Sequence, residues 1–175
     1  MQRLDKTHDP QRRSWVSSAN AAPGEPGSDF PIQNLPHGVF RRRDAGENWR
    51  GGVAIGTLVL DLQAALAADV LPAEVRDDAT MAAAATLNDF MALPSSRRRA
   101  LRLALSDLLA EGAPRQDRAR ECLVPMTEIE LALPVRIENF SDFYSSIHHA
   151  TNVGALFRPD NPLLPNYRWL PVGYT

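Results

Sequence analysis

The sequence has 175 residues, 44% apolar and 23% charged, with a formal net charge of −2 and a mean hydropathy of −0.28, the profile of an ordinary globular chain. With a pI near 6.1, its overall field offers no attraction to nucleic acid or an anionic membrane. One cysteine, Cys122, excludes an intramolecular disulfide and any CxxC-type metal site.

The first residues contain no apolar run that could serve as a signal-peptide core, and Asp5 and Asp9 argue against a transit peptide. No segment reaches the roughly 20 apolar residues needed to span a bilayer. A soluble, cytoplasmic chain is expected. Up to about residue 50, Pro23, Gly24, Pro26, Gly27, Pro31, Pro36 and Gly38 punctuate the sequence, which predicts loop-rich, irregular structure.

Val53 to Ile55 and Leu58 to Leu60, split by Gly56-Thr57, read as a tight β-hairpin. Three helices are predicted next: near Leu62 to Ala68, near Thr80 to Met91, and from Ser95 to Glu111. In the third, Leu101, Leu105, Leu108 and Leu109 share one face, Ser95 or Ser96 can cap the start, and Gly112 can end it. A polar linker follows around Pro114 to Arg120. Ile129 to Ile137 alternates with period two, which suits a half-buried strand, and Pro134 places it at an edge or interrupts it.

Glu128-Ile-Glu130 puts two carboxylates on one face of that strand, and its simplest reading is the solvent side of an edge. The runs Arg41 to Arg43 and Arg97 to Arg99 sit near Glu47, Asp107 and Glu111 and read as solvated faces. Cys122 reads as a small packing residue.

The segment Ser141 to Gly154 carries the candidate chemistry. On a continuous helix starting after Ser141, Asp142 and His149 lie seven residues apart and point to the same side. A carboxylate able to ligate a hard cation and a group that titrates near neutral pH would then share a surface. One carboxylate cannot hold such an ion alone. The bland alternative makes Asp142 a first-turn acid and His149 a packing residue. Ser145 and Ser146 lack a G-x-S-x-G elbow, so a serine triad is not favoured.

The string from Asp142-Phe-Tyr144 through His149-Ala-Thr-Asn-Val-Gly154 to Leu170-Pro-Val-Gly-Tyr174 closely resembles the fumarylacetoacetase family. So do Asp29-Phe-Pro-Ile-Gln-Asn-Leu-Pro-His-Gly-Val-Phe40, the Gly52 to Leu62 stretch and Leu87 to Leu93. The matches keep the family's order from about residue 15 to residue 174.

The resemblance implies a hydrolase that cleaves the carbon–carbon bond of 4-fumarylacetoacetate to fumarate and acetoacetate in tyrosine and phenylalanine breakdown. It implies a Ca²⁺ and/or Mg²⁺ cofactor, a homodimer, and no nucleic-acid or membrane partner. Position by position, it implies Asp142 as a metal ligand, His149 as the general base, and Tyr144, Arg158 and Tyr174 as substrate contacts. A guanidinium suits a carboxylate. His148 receives no role.

The implied fold is α+β, mainly β. A small SH3-like, partly open barrel with helices occupies residues 15–130, after a disordered tail at 1–14, and residues 131–175 begin a truncated catalytic β-roll domain. The chain stops at Thr175 where the family continues with histidine, so an amino-terminal fragment is expected, inactive alone and exposing apolar surface after about residue 135. The alternative is a non-catalytic binding or regulatory module derived from the amino-terminal domain.

Overall fold

A computed structural model describes residues 4–21, 27–43, 46–171 and 173–174. The chain forms two compact units, Met1–Arg136 and Ile137–Thr175.

The first unit is built on β1 (His37–Arg42), β2 (Arg50–Ile55), β3 (Leu58–Asp61), β4 (Leu123–Pro125) and β5 (Ile129–Ala132), an antiparallel sheet in the order β4-β3-β2-β1-β5. The predicted hairpin is present, with Ile55 opposite Leu58 and Gly56 turning the chain at a φ of 58°. A side chain on Gly56 would also collide with Ser18 and the Ala19 amide.

Strands β4 and β5 form opposite edges, yet only the single 3₁₀ turn Met126–Glu128 joins them. Four inter-strand steps in a flat sheet would separate the edges by about 19 Å. Four residues reach about 13 Å even fully extended, so the sheet must curl. Phe40, Val59, Val124 and Ile129 pack inside the curl with Met126.

The convex face meets the larger core. Val53, Ile55 and Leu60 pack there against Leu62 and Ala65 of α1 (Leu62–Ala67), Ala79 and Ala82 of α2 (Arg76–Ala82), and Leu101, Leu105 and Leu109 of α4 (Ser95–Leu109). The Asp61 carboxylate caps α1, accepting from the Gln63 and Ala64 amides at 3.0 and 3.1 Å. Its other oxygen accepts from Arg50 Nε at 2.6 Å, and both side chains are buried. Strand, helix start and neighbouring strand are thereby tied together.

Several expectations are corrected. Strand β1 lies in the region read as irregular. Val39 and Phe40 are both buried, one on each face, so the period-two signal of a half-exposed strand is absent. The helix expected over Thr80 to Met91 is instead α2 and α3 (Asn88–Ala92), separated by turns. The buried leucine face of α4 is as expected, but Ser95 is already helical and Pro94 precedes the helix with no side-chain cap. The polar linker contains α5 (Gln116–Arg120).

Residues assigned to a disordered tail are ordered from Leu4 onward. Asp5 pairs with Arg99 at 2.7 Å, and Lys6 and Arg12 both pair with Asp107 at 2.7 Å. Ser14 Oγ and Trp15 Nε1 donate to the Leu109 and Leu108 carbonyls, which a helix end leaves without intrahelical partners.

Strand β5 is an edge, as Pro134 implied, but covers only Ile129–Ala132 of the alternating run that extends to Ile137. Residues 133–136 still belong to the first unit: Leu87 N–H donates to Pro134 O, and the Asn88 side chain brackets Arg136. The arginine runs are locally paired, Arg41 with Glu130, Arg42 with Glu47 and Arg97 with Asp78. Cys122 is buried, and burial raises its thiol pKa.

The second unit comprises β6 (Asp142–Phe143), α6 (Ile147–Phe157) and β7 (Gly173–Tyr174), with β6 and β7 paired antiparallel. Among its described residues, Gly154 and Tyr167 are buried, while Leu156, Phe157 and Trp169 are 78%, 76% and 90% exposed. This matches the expected exposure of apolar surface after residue 135. Among the described residues, no helix is long and apolar enough to cross a membrane.

Candidate functional site

The continuous helix expected from Ser141 does not form. Asp142 lies in β6, and α6 begins only at Ile147, where Ser146 caps it by accepting from the His149 amide at 3.4 Å. The cap competes for the chain at this point: a serine with extended backbone stops the helix from running further back. The helix ends at Phe157 rather than Gly154, because Pro159 disfavours helical backbone at Arg158. Asp142 and His149 therefore do not share a helix face.

A different device links the segment. The Tyr144 and His149 rings stack with centroids 5.1 Å apart and planes 10° from parallel. Tyr144 is half-buried and His149 is exposed. The chain turns at Tyr144, where the Ser145 amide donates to the Phe143 carbonyl at 2.8 Å, so strand alternation does not carry from Asp142 to Tyr144. Opposite Asp142 in the ladder stands Tyr174; the side chain of Tyr174 lies outside the described residues.

Arg158 follows the helix, and its amide still bonds the Gly154 carbonyl at 2.8 Å. Together with Tyr144, Ala150, Phe157 and Tyr167 it lines a cavity of about 320 Å³. One guanidinium nitrogen is 3.4 Å from the Pro162 carbonyl, which leaves fork donors for an anionic group in the cavity. Gly154 lets the 162 loop reach the helix: a Cβ there would stand 1.9 Å from Pro162 O.

Tyr167 was not singled out by the sequence reading. Its side chain is buried, lines the cavity, and donates its hydroxyl hydrogen bond to the Tyr144 carbonyl. The sequence shows only an aromatic residue in a Pro-rich stretch, so no periodicity could have marked it. Ser145 and Ser146 serve the backbone, Ser145 Oγ lying 3.5 Å from Phe143 O and Ser146 capping α6.

Chemically, the site offers an exposed imidazole held by stacking, an arginine beside a cavity, and one exposed carboxylate. Among the described residues, no group of three or more His, Cys, Asp or Glu side chains could hold a metal ion. Asp142 alone does not satisfy Ca²⁺ or Mg²⁺, which take six or more oxygens.

Residues 33–134 match the family described as Fumarylacetoacetase N-terminal. Among curated proteins, the chain is 41% identical over 169 residues to a fumarylacetoacetase of Oryza sativa subsp. japonica, covering 93% of this chain and 38% of the relative. It is 44% identical over 152 residues to one of Caenorhabditis elegans and 40% identical over 152 residues to one of Homo sapiens, covering in each case 84% of this chain and 36% of the relative. The chain thus spans a little over a third of the length of these relatives.

Proposed function

Since the chain belongs to the family described as Fumarylacetoacetase N-terminal, we propose that it is part of a fumarylacetoacetase acting in tyrosine and phenylalanine breakdown in the cytoplasm. The reaction is hydrolysis of the carbon–carbon bond of 4-fumarylacetoacetate to fumarate and acetoacetate. In this reading the curled sheet of the first unit is an SH3-like, partly open barrel, and the second unit, from Ile137, opens a catalytic β-roll domain. The active enzyme is a homodimer.

The observation that carries the reading is the Tyr144–His149 stack beside the Arg158-lined cavity. His149 is the general base: its neutral imidazole removes a proton from the water that attacks the substrate carbonyl. Stacking fixes the ring plane, which orients the basic nitrogen without blocking it. Arg158 binds a substrate carboxylate through its fork, and Tyr144 and Tyr174 contact the substrate. Asp142 is one ligand of a Ca²⁺ or Mg²⁺ site whose remaining donors lie outside the described residues. One carboxylate cannot hold such an ion, and on this reading the 175-residue polypeptide is inactive alone.

A graft tests this. The chain replaces the matching 36% of the Caenorhabditis elegans relative, and hydrolysis of 4-fumarylacetoacetate is followed. The graft is expected to be active, and His149→Gln to lower kcat at least about 100-fold, the lower range for loss of a general base. An unchanged rate in a folded His149→Gln graft refutes the assignment, and measurable hydrolysis by the purified 175-residue chain refutes its inactivity.

A further inference from the structure

The concave side of the curled sheet carries a second cavity, of about 580 Å³, wholly within the first unit. Gly38 forms its open floor; Gly52, opposite it in the β1–β2 ladder, is covered by Phe40 and Val59. Phe40, Val59, Met126 and Leu131 form apolar walls. A Cβ built on Gly38 would meet no atom within 4 Å, so the space above the floor is open. The cavity follows β1 from Gly38 and reaches Arg43 just past the strand's end, roughly 16 Å of chain. Its volume is that of a small-molecule site, where an apolar lining and few polar groups are usual.

Charge on this face is distributed unevenly. Arg50 stacks over Phe40 at 4.8 Å but is committed to Asp61 and Glu47. Glu130 lines the cavity and is neutralised by Arg41. Arg43, at the Met126 end, spends only Nε, which donates to the Ile129 carbonyl at 2.8 Å. Among the described residues its terminal nitrogens have no partner. The cavity therefore combines a long apolar trough with one uncommitted guanidinium at its end.

We propose that this cavity is a binding site for a small carboxylate with an elongated aromatic or aliphatic body. The body lies along Gly38 and Phe40, and the carboxylate meets the terminal nitrogens of Arg43. The site is lined by first-unit residues alone and does not depend on the catalytic reading.

The test uses the full 175-residue chain and 2-naphthylacetate as probe, with 2-(2-naphthyl)ethanol as its uncharged counterpart, followed by amide chemical shifts. The expected result is saturable shifts at Gly38, Phe40, Gly52 and Ile129 with the carboxylate binding more tightly. Arg43→Gln is expected to weaken the carboxylate about 10-fold or more, the scale of a lost charged hydrogen bond, while leaving the alcohol unchanged. Gly38→Leu, whose added atoms enter open space, is expected to abolish both, with its circular dichroism unchanged. Absence of saturable shifts at these amides up to about 5 mM probe, a range suited to weak ligands, overturns the site. Equal loss of both probes in Arg43→Gln overturns the role given to charge. Because the shifts in the unsubstituted chain locate the ligand directly, the test stands even if Gly38→Leu does not fold.

Discussion

His37 makes the stability of the first unit sensitive to acid. Its ring stacks on Phe90 at 4.8 Å, and Nε2 is buried with no hydrogen-bond partner among the described residues. Burial, with the Arg102 guanidinium adding repulsion, lowers its pKa from 6.5 to about 4. The folded state therefore resists protonation that the unfolded chain accepts. Stability from this group is complete above about pH 6.5 and is lost progressively as pH falls toward 4.

Protonating a group held at about 4 rather than 6.5 costs about 3 kcal/mol, at roughly 1.36 kcal/mol per tenfold change in proton affinity. That is a large part of the stability of a domain this size. The substitution His37→Phe keeps an aromatic ring against Phe90 and removes the titration. Urea unfolding of both proteins at pH 7.5, 6, 5 and 4 is expected to show the unsubstituted protein losing about 3 kcal/mol more than the variant. Parallel pH profiles would show that the imidazole is protonated in the folded state without cost, and would refute the argument.

Two further outcomes follow from single contacts. Asp61→Asn can still cap α1 but cannot accept the Arg50 charge, so it is expected to cost about 2–3 kcal/mol in urea unfolding, less than full loss of a buried partner because Glu47 also holds Arg50 at 2.7 Å. Tyr167→Phe removes the bond to the Tyr144 carbonyl. In the active graft it is expected to lower kcat while leaving far-ultraviolet circular dichroism unchanged, and the ring-current shift that the Tyr144 ring imposes on the His149 ring protons should shrink; an unchanged shift would mean that Tyr167 does not position the stack.

Much of the helical layer was legible in the sequence. The leucines of α4 recur at helical spacing because one face is buried and the other meets water. The hairpin was legible because a glycine turn separates two short apolar runs. Strand β1 was not, since Val39 and Phe40 are covered on opposite faces and Arg41 follows at once. The order of the amino-terminal residues was equally hidden, because Asp5, Lys6 and Arg12 are held by α4 residues about a hundred positions away.

At the site, the sequence by itself determined the residue types: a histidine, an arginine, tyrosines and one aspartate in a motif specific enough to identify the family. Only the tertiary structure decided how they meet. The Ser146 cap cuts the helix that would have aligned Asp142 with His149, and ring stacking with Tyr144 replaces that alignment. Likewise, the concave cavity exists only because a three-residue turn draws the two edge strands together. Local spacing fixes which side chains can share a helix or strand face, but these contacts come from chain segments brought together by a cap, a buried tyrosine and a curled sheet.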